Sequence, residues 1–263
     1  MKIGFIGAGN MAEAIVAGML SQKTVAPGDV YLYDISAQKL ADHREKYYVN
    51  SCATIDQLLQ AADICVLCVK PNVAKGVLQQ ITKDNVCLLS IVTGLTYAQM
   101  EENIRAKGAR FLRIMPNTPL MAGEGATVFA MPHTLRDDEF AFAKEIFSAS
   151  GLVETIDEAY LPAVTGISGS GPAYVYMFIE ALADGAVKYG LPRKDAYEMA
   201  AQAVFGSAKM VLETGMHPGE LKDMVCSPGG TTIEGVSALE ECGFRSAIIK
   251  ACDASYLKNS RLK

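Results

Sequence analysis

Lys2-Ile3-Gly4-Phe5-Ile6-Gly7-Ala8-Gly9-Asn10-Met11-Ala12 opens the chain as a short apolar run, breaks at two glycines, and resumes as a helical pattern through Met11–Ser21. The order strand, glycine turn, helix is the dinucleotide fingerprint G-x-G-x-x-G/A in its proper context. Each position has a physical task. Gly7 permits the tight turn, Gly9 lets a pyrophosphate approach the backbone, and Ala12 lets the helix pack closely on the strand. The helix N-terminus then offers unpaired N–H groups to the phosphates. Ile6, Gly7, Ala8, Gly9, Asn10 and Met11 are therefore the first candidate cofactor residues. The bland alternative is a tight turn with no ligand.

Asp34 closes the second apolar run, Val30–Asp34, about 25 residues past Gly9, where an acidic residue usually bonds the adenosine ribose. That placement favours NADH. A 2′-phosphate, as in NADPH, would want Ser36 and Lys39 nearby and Asp34 turned away. Asp34 could instead cap the following helix, Ser36–Tyr47.

Working outward, short apolar runs alternate with helical patterns up to Ile156. Strands are expected at Lys2–Ile6, Val30–Asp34, Ile64–Val69, Val86–Ile91, Arg110–Met115, Ala126–Ala130 and Val153–Ile156, with a short edge strand near Val49. The runs are apolar almost throughout, as in a mainly parallel sheet covered on both faces. A helix is expected at Leu135–Ser150 as well. Past Ile156 the strand signals stop. Helices are expected at Glu158–Val164, Pro172–Tyr189, Pro192–Thr214, Pro218–Val225, Thr231–Glu241 and Arg245–Leu262. Pro172, Pro192 and Pro218 stand where a first helical turn tolerates proline, and Gly190 and Gly215 where a helix stops. The fold class is an α/β Rossmann-type domain over residues 1–156 followed by an all-α domain over residues 157–263. Pro172–Tyr189 is apolar on most faces, more than a small helical domain can cover, so a second subunit is expected to cover it.

Charge and cysteine usage exclude other classes. The net charge of −5 gives no footprint for nucleic acid. No apolar run is long enough to span a membrane, and the N-terminal run carries glycines and Glu13 with no cleavage region after it. Seven scattered cysteines do not make a disulfide framework, and a cytoplasmic location is expected. Cys65 and Cys68 form a CxxC, but within a strand residues three apart face opposite sides, which argues against a redox or zinc pair. His43, His133 and His217 have no paired spacing, so no metal site is expected.

Three later segments narrow the reading: Met115-Pro116-Asn117-Thr118-Pro119, Ser168-Gly169-Ser170-Gly171-Pro172-Ala173-Tyr174 and Ser227-Pro228-Gly229-Gly230-Thr231-Thr232. In this order, with Val69-Lys70-Pro71 before them, the whole chain resembles the pyrroline-5-carboxylate reductases. The resemblance implies NAD(P)H-dependent reduction of a cyclic imine to L-proline. It also implies a helical domain that intertwines with a second copy, and it allows a larger ring of dimers. It places Val69, Lys70, Pro71, Thr93, Gly94 and Asn117 against the cofactor. Lys70 read alone is a solvated lysine at a strand end.

Imine reduction needs donors for the substrate carboxylate and a hydrogen bond to the ring nitrogen. Pro228-Gly229-Gly230 leads into a helix starting near Thr231, an anion site of backbone N–H groups. Ser227, Gly229, Gly230, Thr231 and Thr232 are the substrate-binding candidates. The resemblance gives Thr232 the ring nitrogen and the N–H groups of Gly230, Thr231 and Thr232 the carboxylate. Without a ligand the same segment is a glycine-rich turn with a threonine cap.

A β-hydroxyacid dehydrogenase is the alternative enzyme class. Gly166, Gly169 and Gly171 match its second-domain pattern, but Val175 and Ile179 stand where it has lysine and asparagine. An alcohol needs a base to remove its proton, whereas an imine nitrogen is itself basic, so the departure favours the imine. A catalytically silent dinucleotide-binding regulator is the alternative from another class. It would have no need of Ser227–Thr232.

Overall fold

A computed structural model describes residues 1–261. Four parallel strands form the centre of the sheet: β1 (Ile3–Ile6), β2 (Val30–Tyr33), β4 (Ile64–Leu67) and β5 (Cys87–Ser90). β3 (Asn50–Ser51) adds a short edge beside β2, and β6 (Arg110–Met115) continues parallel beside β5. β7 (Gly125–Met131) runs antiparallel to β6, and β8 (Gly151–Asp157) runs parallel to β7. The order β3-β2-β1-β4-β5-β6-β7-β8 reverses direction of growth between β1 and β4. In such sheets the crevice at that reversal, beyond the carboxyl ends of the strands, is where ligands bind.

Side chains alternate between two cores. Ile3, Phe5, Ile64, Val66, Cys87 and Leu89 face one core, shared with α1 (Asn10–Ser21) and α6 (Asp137–Ser148). Ile6, Cys65, Leu67 and Leu88 face the other, shared with α3 (Ile55–Ala61), α4 (Pro71–Leu78) and α5 (Tyr97–Asn103). The apolar runs lack period-two alternation because both faces of each strand are covered. Cys65 and Cys68 thus pack toward different cores, and burial pushes the Cys65 thiol up to about 12. That is the opposite of what a reactive thiol needs.

After β8 come a 3-10 turn (Glu158–Tyr160) and α7 (Leu161–Val164), where one plain helix was expected, and then a π-helical turn (Thr165–Gly169). The compact units also divide later than the Ile156–Asp157 boundary read from sequence. One unit is Met1–Gly169 together with residues 254–261, and the other is Ser170–Asp253. Residues 158–169 stay with the sheet for a physical reason. Leu161 packs with Met115, Val128 and Ala130, and the buried Arg113 donates to Glu158 at 2.5 Å. The loss of strand signal marks the end of the sheet, which is not the end of the unit.

The second unit holds α8 (Gly171–Lys188), α9 (Arg193–Thr214), α10 (Pro218–Val225) and α11 (Thr231–Glu241). It also holds the first part of α12 (Phe244–Ser260). The expected end of that last helix, Leu262, lies outside the described residues. Pro192 caps α9 from outside its first turn, one residue earlier than expected. Only Ala183, Ala196 and Ala200 are buried among the residues of this unit, where α8 meets α9. Tyr176 and Met177 on α8 are 60% and 69% exposed. Among the described residues no helix is long and apolar enough to cross a membrane.

Candidate active site

The site on the first unit is assembled by strand ends. Gly7 leaves β1 with a φ of +105°, and a β-carbon there would lie 2.6 Å from the Cys68 carbonyl oxygen at the end of β4. Only glycine allows this approach. The Gly7 N–H donates to the Tyr33 carbonyl at 2.7 Å, which closes the loop over the end of β2. Gly9 precedes α1 as its cap residue, and a β-carbon on it would meet no protein atom within 4 Å. No side chain caps α1, so its first-turn N–H groups are left for a ligand. Ala12 is fully buried, as close helix–strand packing requires. A glycine facing open space above uncapped N–H groups is what a pyrophosphate fits.

The other cofactor candidates gather at the same edge of the sheet. Val69, Lys70 and Pro71 follow β4, Thr93 and Gly94 follow β5, and Asn117 follows β6. Lys70 is exposed and caps α4 from outside, with Pro71 in the first turn. Gly94 has a φ of +80°. Asn117 is buried, and its amide is engaged at both ends: Oδ1 accepts from the Ala126 N–H at 2.8 Å and Nδ2 donates to the Ser168 carbonyl at 3.3 Å. It braces the π-helical turn instead of presenting its amide to solvent.

Asp34 departs most from expectation. Its Oδ2 accepts from the Ala8 N–H at 2.8 Å and its Oδ1 from the Ser36 N–H at 2.8 Å. The side chain is 10% exposed, and Lys39 Nζ stands 3.9 Å from Oδ2. Asp34 is thus turned into the loops and is not the cap of the next helix. Ser36 caps α2 (Ala37–Tyr47), its hydroxyl accepting from the Lys39 N–H at 3.4 Å.

The second candidate segment lies in the helical unit. Gly229 takes a φ of +67°, and a β-carbon on Gly230 would fall 2.3 Å from Ser227 Oγ. The two glycines let the chain double back on Ser227 before α11 begins. The Gly230 N–H donates to the Ser227 carbonyl at 3.0 Å, so it is not the free carboxylate donor expected from sequence. The open donors start with Thr231 and Thr232, which are exposed, and no side chain caps α11. Acting together, an uncapped helix start and a hydroxyl in its first turn can hold an anion and hydrogen-bond a neighbouring polar atom.

Sequence reading passed over a buried network beside Gly94. Tyr97 Oη donates to the Ala130 carbonyl at 2.7 Å and accepts from the Arg113 N–H at 3.0 Å. Glu158 takes both the Tyr97 N–H and the Arg113 guanidinium. Burial pushes the Tyr97 hydroxyl above its ordinary pKa. A charged residue inside the apolar run Arg110–Met115 was the available signal, since a buried arginine needs a partner.

Comparison with known proteins fits this geometry. The family model for pyrroline-5-carboxylate reductase dimerisation matches residues 158–262. The model described as NADP oxidoreductase, coenzyme F420-dependent, matches residues 2–94. A pyrroline-5-carboxylate reductase of Escherichia coli is 46% identical, covering 99% of this chain and 98% of its own length. One from Arabidopsis thaliana is 39% identical, covering 99% and 95%. The Plasmodium falciparum pyrroline carboxylate reductase, solved with NADP bound, superposes with a TM-score of 0.89 at 31% identity, covering 100% of this chain and 98% of that one.

Proposed function

The chain belongs to the pyrroline-5-carboxylate reductase family, and on that premise we propose how its residues divide the reaction. It is an NAD(P)H-dependent oxidoreductase that reduces 1-pyrroline-5-carboxylate to L-proline, the last step of proline synthesis. It self-associates through its helical part. When bound, the reduced nicotinamide supplies the hydride to the imine carbon.

Residues 1–156 hold the dinucleotide, with its pyrophosphate on the α1 start and its length across Val69–Pro71, Thr93–Gly94 and the Asn117 loop. Residues 157–263 bind substrate and form the dimer. The substrate carboxylate rests on the Thr231 and Thr232 N–H groups, and the Thr232 hydroxyl donates to the ring nitrogen. A threonine hydroxyl is a weak acid, so it orients and stabilises while solvent provides the proton. The observation that carries this reading is the uncapped start of α11 behind a turn that only glycines can make. A larger ring of dimers and a cytoplasmic location complete the proposal. The resemblance supports the first, and seven free, scattered cysteines support the second.

Steady-state kinetics with NADPH and the imine test the assignment. Thr232→Ala should lower kcat about a hundredfold, the usual cost of losing one preorganised donor, and leave NADPH affinity unchanged. Thr231→Val should remain near wild type. A crippled Thr231→Val with a normal Thr232→Ala would exchange the two roles, and two normal variants would move the substrate elsewhere.

A further inference from the structure

The dinucleotide loop has a support that its own residues do not supply. Two consecutive N–H groups, those of Gly7 and Ala8, point back onto the end of β2 and the residue after it. Gly7 reaches the Tyr33 carbonyl at 2.7 Å and Ala8 reaches Asp34 Oδ2 at 2.8 Å. The same carboxylate takes the Ser36 N–H through its other oxygen, also at 2.8 Å. One side chain therefore bridges the β1–α1 loop and the β2–α2 turn across 26 residues of sequence. Ala8 is buried, so its N–H has no water to turn to if the carboxylate leaves.

We propose that Asp34 is a positioning residue for the dinucleotide loop: it pins Ala8 to the β2–α2 turn and so aims the open N–H groups of α1 at the pyrophosphate. The proposal rests on the reading of Gly7–Ala12 as the cofactor loop. It differs from the usual assignment of an acidic residue in this place, which is to accept the ribose hydroxyls and repel a 2′-phosphate. Both Asp34 oxygens already accept charge-assisted hydrogen bonds from backbone donors, the stronger kind, and the group is nine-tenths buried. A carboxylate held this way discriminates poorly at the 2′ position, because its orientation is set by the protein and not by the ribose. Lys39, 3.9 Å from Oδ2, further offsets its charge toward an incoming phosphate.

The two roles separate in equilibrium binding of NADPH and NADH to the full chain. If Asp34 positions the loop, Asp34→Ala weakens both dinucleotides by the same factor, about tenfold, and their affinity ratio stays fixed. Asp34→Asn recovers part of the loss, since its amide oxygen can still accept one of the two N–H groups. Hydrogen exchange without cofactor gives an independent reading: the Ala8 and Ser36 amides exchange faster in Asp34→Ala, while amides of β4 and β5 stay protected. A merely structural role would lower the melting temperature and leave both dissociation constants of the folded protein unchanged, which overturns the proposal. A shift of the ratio toward NADPH in Asp34→Ala also overturns it and restores ribose discrimination. Gly9→Val is the control for the underlying reading. If it binds both dinucleotides as tightly as wild type, the cofactor lies elsewhere and the proposal falls with that reading; if it loses both while Asp34→Ala loses neither, the proposal falls alone.

Discussion

The sheet unit and the helical unit solve the burial of apolar surface in opposite ways. In the first, Phe5, Phe111, Phe129 and Phe147 are all essentially inaccessible, and two cores sandwich the strands. Three of its helix starts are capped by side chains, Thr54, Thr96 and Ser36 each accepting an N–H of the following turn, while those of α1 and α4 are not. In the second, the buried side chains are three alanines, and α8, α9 and α11 begin without side-chain caps. Most of its large apolar side chains, Met177, Met199, Phe205 and Leu212 among them, face outward. One half of the chain completes its core alone, while the other, which the dimerisation model matches, leaves much of its apolar surface exposed in the single chain. The stability of the first should be a property of the molecule, and that of the second a property of its concentration.

The largest expected effect tests the self-sufficient half. Phe129 meets Phe140 and Phe147 edge to face with centroids 5.7 and 5.8 Å apart. Phe129→Ala should cost about 3–5 kcal/mol, seen as a lower melting temperature whose drop is the same at widely different protein concentrations. A loss that grows on dilution would break the comparison. Next is Met177→Asp, which puts a charge on the outward face of α8. Sedimentation at micromolar concentration should show monomers, with association weakened about a hundredfold or more, while NADPH still binds. A variant that stays dimeric would mean that α8 is not the covered face.

The smallest effect sharpens the electrostatic side. Glu139, at the start of α6, accepts two bonds from Arg110, at 2.6 and 2.8 Å, and the Arg136 N–H at 2.9 Å. Burial alone would raise its pKa, but Arg110 and Arg136 outweigh this and hold it below the ordinary carboxylate value. A depressed folded pKa contributes stability above the unfolded value, near 4, and loses it as pH falls through the folded one. Glu139→Gln should therefore cost about 1–2 kcal/mol at neutral pH, with the gap to wild type closing in acid. A gap that stays constant with pH would assign the loss to packing.

Much of this division was legible in the residues. Continuous apolar runs identified every long strand, and Arg110–Met115 has the limits read from its pattern. Other strands proved one to three residues shorter or longer. Lys2, Asp34 and Val69 lie beyond the ladder, while Gly125 and Gly151 lie within it. Glycine turns at Gly7 and Gly229 were legible because the backbone demands them. Side-chain destinations across the fold were not. That Asp34 turns its carboxylate to Ala8 and Ser36 was not legible, because its distance from Gly9 says nothing of where a side chain points. That the Asn117 amide is committed to Ala126 and Ser168 was not legible, because Ser168 is 51 residues away. The division at Gly169 was hidden for the same reason: Arg113 and Glu158 are partners only after folding.

Residues 254–261 belong with the sheet unit, and Asn259 Nδ2 donates to Thr165 Oγ1 at 2.8 Å across 94 residues. During synthesis, at about 5–20 residues per second, Asn259 emerges about 5–20 s after Thr165. The strands and their cores are all available long before then, so the nascent sheet unit waits in a nearly finished state, with its π-helical turn held by Asn117 but not yet by Asn259. Its last stitch arrives only after α8 to α11 have already been made. The order of translation thus places completion of the sheet unit after production of the helical unit.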